Sequence, residues 1–387
     1  MKRFTDPRSG AAVLGVITVL LCMTACAGAA GHARSIPHPS IFALPLAAAC
    51  PDIPTATSGA TPLSEVPGPE KVLSTIPIDY GPAGVTIGFG SVWVAAHRGA
   101  AVFRVNPVTN RVIATIHVPL YKGNPGKPEG PITAGPHGIW VAIGGQVGGA
   151  TPTEVDPFRL LRIDPTTDQV TLDKVFDGLY NVVDSQTGVW VGVDPNSSLG
   201  PIRKALINID PITGSILRTV DLGPATTGTE YSSWFDAGFG SLWAVVASDK
   251  VVRVDPSSGK IVATIHTPGL PLGLVAQGGG PGVFVDVANA ANQATVARVN
   301  PSTNCVDAVT LIGGVGSQAG NLLTESGGGL YVTFGKGSLA LVDMTTMRSL
   351  GSVGLDAADY LGQAAFGFGS VWFPTWGDNT LLRVKPL

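Results

Sequence analysis

Four of the six tyrosines stand at nearly one distance ahead of a tryptophan: Tyr80, Tyr180, Tyr231 and Tyr360 precede Trp93, Trp190, Trp243 and Trp372 by 13, 10, 12 and 12 residues. A tyrosine offers a flat apolar ring and one hydroxyl at a small ordering cost, which is the chemistry of recognition surfaces. If the four occupy one place in a repeated unit, they ring one opening and can hold a ligand there. Nearby polar residues add hydrogen-bonding capacity: Asn181 and Asp184, then Glu230, Trp234 and Asp236, then Asn321 and Glu325. Trp376 and Asp378 follow the last tryptophan much as His97 and Arg98 follow the first. A structural role competes with this reading, because tyrosines that plug a rim and satisfy neighbouring strands would show the same spacing.

The cysteines carry the covalent chemistry. Lys2, Arg3 and Arg8 precede an apolar run from Ala11 to Leu21, which is too short to span a membrane and reads as an export signal over residues 1–25. The run Met23-Thr24-Ala25-Cys26 resembles the lipobox of bacterial lipoproteins and marks Cys26 for lipidation. Ordinary signal cleavage at Ala25-Cys26-Ala27 or Ala27-Gly28-Ala29 is the alternative. Either way the chain is expected outside the cytoplasm, lipid-anchored to the cell membrane or secreted and periplasmic. In an oxidising compartment Cys50 and Cys305 are then an even pair and predict a disulfide, two free thiols being the alternative. Residues 26–69, rich in Ala, Pro, Ser and Gly, read as a tether.

The elements that must position these residues repeat. Aliphatic-aromatic-aliphatic triplets recur at Val92-Trp93-Val94, Ile139-Trp140-Val141, Val189-Trp190-Val191, Leu242-Trp243-Ala244, Val283-Phe284-Val285, Leu330-Tyr331-Val332 and Val371-Trp372-Phe373. The aromatics lie 47, 50, 53, 41, 47 and 41 residues apart, the length of a four-stranded propeller blade with its loops. An aliphatic-Asx-Pro stretch follows most copies, at Asn106-Pro107, Asp164-Pro165, Asp210-Pro211, Asp255-Pro256 and Asn300-Pro301. The Asx side chain accepts local N–H groups and Pro presets φ, so each stretch ends a strand in a tight turn. The spacing predicts an all-β fold: a seven-bladed β-propeller over residues 70–387, each blade four antiparallel strands. The last copy stops after its third strand. Lys71 to Ile78 has the pattern of an outer strand with no blade of its own, so it is expected to complete that sheet and close the ring.

Composition narrows the partners. With 387 residues, 51 Gly, 31 Pro and a formal charge of -3, the chain suits one large repetitive domain and offers no basic stripe for a nucleic-acid backbone. The Gly-rich insertion from Gly144 to Val155 reads as flexible padding or a recognition loop, and Gly278-Gly279-Gly280 precedes a strand where a phosphate cradle would need a helix.

The stretch from Gly88-Phe89-Gly90-Ser91-Val92-Trp93-Val94 through Asn106-Pro107 to Ile116 resembles the YVTN-type repeats of exported bacterial propellers and the virginiamycin B lyase-like propellers. The second resemblance implies elimination on a cyclic depsipeptide, by His and Glu side chains at the propeller mouth with Mg²⁺. The Glu that such repeats carry three residues after the Trp is replaced here by Ala96, Ile143, Val193, Val246, Val287, Phe334 and Thr375. Of the histidines in the repeats, His117 and His266 fall on outer strands. His97 and His137 are left as candidate bases, with Glu230, Asp236 and Glu325 as candidate metal ligands. The leading expectation is a noncatalytic, monomeric binding or interaction propeller without a cofactor. It would present one face of the ring to a small molecule, glycan, peptide or envelope protein and meet the membrane only through an N-terminal lipid. The lyase is the alternative.

Overall fold

The computed structural model describes residues 50–56 and 72–386, apart from 98, 124–125, 145–156, 177, 194–202, 225–234, 248, 277–279, 292, 316–318, 327, 335–337 and 355–361. Seven four-stranded antiparallel sheets form a ring, and no helix occurs among the described residues. Blade one shows the plan: an inner strand Pro82–Gly88, a second strand Ser91–Ala96, a third Ala101–Asn106 and an outer Arg111–His117. The second strand is buried along its whole length, whereas the outer strand alternates between exposed and covered residues. That difference follows from position, since only the outer strand has water on one edge.

Blade seven runs Ala365–Gly367, Ser370–Thr375 and Thr380–Val384, and takes its outer strand from the other end of the described chain. Val72–Pro77 pairs antiparallel with Thr380–Val384, from Val72 opposite Val384 to Pro77 opposite Thr380, and buries Ile76. The expected closure is therefore present. Residues 50–56 belong to the same compact unit, which runs from Ala47 to Leu387. Cys50 is joined to Cys305 of blade five with the Cα atoms 5.5 Å apart, within disulfide reach. Ala56 packs on the core between blades four and five.

Each aromatic of the repeat points at the next blade. Trp93 packs with Ile132 and Ile139 of blade two, Trp243 with Val283 and Val285 of blade five, and Trp372 with Val85 and Val92 of blade one. The seven aromatics are core residues, as their recurrence at one place requires.

Adjacent blades are also tied by an arginine two residues before the Asx, or before Lys385 in blade seven. Arg104, Arg253 and Arg383 lie over Trp93, Trp243 and Trp372 at 4.9, 5.0 and 5.0 Å. Their Nε atoms donate to the Ser91, Ser241 and Ser370 hydroxyls. Nη1 crosses to the next blade's Asx-Pro turn, where Arg253 donates to Pro301 O at 2.6 Å and Asn304 Oδ1 at 3.0 Å. The acceptor side chains Asn110, Asp168 and Asn304 sit four residues after each Asx at φ of 54, 58 and 59°, a conformation Asn and Asp tolerate better than most residues. One side chain thus locks a tryptophan, a serine and the neighbouring turn. Arg253→Lys keeps the charge but loses the fork, so it should cost about 1–3 kcal/mol. A lower urea midpoint with an unchanged slope would show this; an unaltered midpoint would refute it.

Candidate functional site

In an up-and-down blade the two ends of the strands form two faces. The turns from inner to second strand and from third to outer strand lie on one face, the turn face. The connections from second to third strand, and from outer strand to the next blade, lie on the other, the loop face.

The loop face gathers candidate residues where blades seven and one meet. Tyr80, in the connection between them, is 58% exposed and held at a φ of 73°. A bulky residue at positive φ is strained, and such strain persists only where the surroundings impose it. Gly81 N–H donates to Asn379 Oδ1 at 2.7 Å, and Gly81 O accepts from His97 N–H at 3.0 Å. The ring of Tyr80 lies against Gly99 so closely that a Cβ there would come within 2.7 Å of it. His97 is buried, and its ring meets that of Trp376 at 4.6 Å and a 37° tilt. Trp376 is partly covered, and Asp378 is exposed beside it in the turn that ends at Asn379. The equivalence of His97 and Trp376 in their repeats thus becomes a contact, because blades seven and one are neighbours. The corner can offer one exposed aromatic, a second aromatic backed by an imidazole, and a carboxylate.

Other candidates lie elsewhere. His137 occupies the turn between the first two strands of blade two, on the turn face, and cannot share a mouth with His97. Its Nδ1 is 2.6 Å from Asp184 Oδ1 of blade three, and its N–H donates to Asp184 Oδ2 at 2.8 Å. Trp140 Nε1–H donates to the same carboxylate at 3.0 Å. Asp184 is fully buried while the His137 side chain is 36% exposed. Gly135 allows this approach, since a Cβ there would meet Asp184 O at 2.3 Å. A histidine oriented by a buried carboxylate can accept a proton. The same bonds also tie blade two to blade three, where Arg162 is turned back to His137 O at 2.6 Å.

Asp236 is buried and spends its carboxylate on backbone, accepting Ala237 N–H and Ala276 N–H at 2.8 Å each and so joining blade four to five. Asn181 does likewise, donating to Phe235 O at 3.0 Å. Tyr180 and Glu325 lie on the inner strands Leu179–Ser185 and Ala319–Ser326. Arg98, Glu230, Tyr231, Trp234, Tyr360 and Cys26 lie outside the described residues. Among the described residues no group of three His, Cys, Asp or Glu could hold a metal ion. His117 and His266 end outer strands, and His266 faces Asp249 at 2.9 Å.

Two residues of the corner carry no sequence signal of their own. Asn379 accepts Gly81 N–H on its side-chain carbonyl and Ile78 N–H on its backbone carbonyl. Gln363 bonds the backbone at Ala83 and Val85 of blade one, and its side chain extends to Ile132 of blade two.

No family model and no curated protein matches the sequence. Solved structures match the fold. BamB from Moraxella catarrhalis superposes with a TM-score of 0.51 at 11% identity, covering 79% of this chain and 85% of that one. The Cps50 (Swd1) β-propeller domain of Myceliophteria thermophila superposes with a TM-score of 0.59 at 9% identity, covering 82% and 99%. At these identities the likeness is one of architecture, which hosts many unrelated functions.

Proposed function

We propose that this chain is an exported, noncatalytic binding propeller of the cell envelope that engages a protein or peptide through its loop face, at the junction of blades seven and one. The observation that carries the reading is Tyr80, which stays exposed although its backbone is strained and its ring is fixed over Gly99. An aromatic ordered before its partner arrives has already met the entropic cost of binding. Trp376 and Asp378 extend the surface, and Arg98, Tyr180, Tyr231 and Tyr360 are the further candidates that the repeat spacing gives. The signal-like residues 1–25, Cys26 and the likeness to YVTN-type repeats support the envelope location.

A photo-cross-linking residue placed at Tyr80 should give a discrete adduct in intact cells, and one at Phe239 on the turn face should not. Trp376→Ala should reduce the Tyr80 adduct about 10-fold or more, as for a hot-spot aromatic. Adducts only at Phe239, or none that depends on Trp376, would defeat the proposal.

One observation favours the lyase reading, the His137–Asp184 pair, whose geometry suits a general base. Its position on the turn face separates it from His97. Mg²⁺-dependent opening of a cyclic depsipeptide, lost in His137→Ala, would favour the enzyme over the binding module.

A further inference from the structure

Blade five departs from the repeat at one buried position. Asp286 lies two residues after the core aromatic, where the other blades carry Ala95, Ala142, Gly192, Val245, Thr333 and Pro374. It is on the strand Val283–Asn289, on the side that bears Phe284 and faces blade six. Asp286 is 0% exposed, and neither carboxylate oxygen has a hydrogen-bond partner. An unsatisfied buried carboxylate is costly, and sites that retain one call for an explanation.

The surroundings supply part of it. Across the ladders Asp286 stands opposite Gly273 on the inner strand and Val296 on the third strand. Gly273 is buried, yet a Cβ built on it would meet nothing within 4 Å, so a small space adjoins the carboxyl. In blade three the matching pair is reversed: Gly192 is on the second strand and Asn181 on the inner one, where its amide bonds blade four. Blade five puts the polar group behind the glycine and gives it no such bond.

Most of the seam is apolar, built from Phe284, Val296 and Ile312 against Leu330, Val332, Ala340 and Val342 of blade six. Arg298 shares this side of blade five and is committed to Asp307, Met344 O and Thr345 O. The Thr310 hydroxyl donates to Met347 O. On the inner strand of blade six the one titratable residue is Glu325.

We propose that Asp286 is a proton-binding site that makes the seam between blades five and six sensitive to pH. The neutral acid is compatible with the closed seam. When the proton leaves to solvent, a bare anion remains among aliphatic side chains, and the seam loosens at the Gly273 gap until water reaches the carboxylate. Burial pushes the Asp286 carboxyl well above the usual carboxylate range, and the neighbouring Val287 N–H, which falls short of a hydrogen bond to it, opposes this with the smaller effect. The folded state therefore holds the proton more tightly than the unfolded one. Stability falls as pH rises from the unfolded value of about 3.9 to the folded value, and levels off above it.

The test is urea unfolding of the full chain from about pH 4 to about pH 9, comparing wild type with Asp286→Asn and Asp286→Val. Relative to either variant, the wild-type unfolding constant should rise up to about tenfold per pH unit over that window. Both variants should be the more stable proteins at neutral pH. Parallel pH profiles for all three would overturn the proposal. If neither variant folds, amide exchange in the wild type decides it, after correction for the intrinsic pH dependence. Protection lost with rising pH at Gly273 and Val287, but not at Trp93 or Trp140, supports the site; uniform or absent change overturns it.

Discussion

Removing Val72–Pro77 is expected to abolish cooperative folding of the whole ring, and Ile76→Ala alone to cost about 2–5 kcal/mol. The segment supplies every outer-strand contact of blade seven, from Val72 opposite Val384 to Pro77 opposite Thr380. Ile76 is buried with Ile78 in the same cluster as Trp372, Val85 and Phe103, so the loss reaches both blades seven and one. The truncated ring would also expose the edge of Thr380–Val384, a template for association between chains. Size-exclusion chromatography and thermal unfolding would check both expectations. A truncated protein that stays monomeric with a wild-type transition would contradict them.

The second large effect concerns the bond between Cys50 and Cys305. These residues are 255 apart in sequence, so the cross-link closes a very long loop in the unfolded chain. Cys305→Ser should lower stability by about 2–5 kcal/mol, the usual consequence of losing a native disulfide. Cys50→Ser should match it, and reductant should bring the wild type to the same midpoint while leaving both variants unmoved. A wild-type midpoint indifferent to reductant would exclude the bond as a stabilising element.

Much of the fold was legible because a propeller repeats a short code. The aromatics from Trp93 to Trp372 mark second strands, and the Asx-Pro stretches mark turns in which Asn106 accepts Val108 N–H and Thr109 N–H. Lys71 to Ile78 could be placed by the strand that the last copy lacks. Contacts between blades were less legible, since they join residues far apart in sequence with no local pattern. The serine, arginine and left-handed Asn or Asp around Trp93, Trp243 and Trp372 recur in the chain, but their partnership appears only when the next blade's turn lies alongside. The site divided in the same way. His97 and Trp376 occupy equivalent places and do meet, whereas His97, four residues after Trp93, and His137, three before Trp140, lie on opposite faces. Asp236 reads as a free carboxylate until Ala276 is brought beside it from the following blade.

The Cys50–Cys305 bond also governs how the ring responds to mechanical load. The strand that closes the ring is Val72–Pro77, and a pull on its leading end would peel it from Thr380–Val384 one bond at a time. Any tension arriving from upstream of Cys50 reaches Cys305 first and passes through the covalent link into blade five. Blade seven is thereby relieved of the force, and the closure can be traction-proof although the strand that makes it is held only by hydrogen bonds and packing.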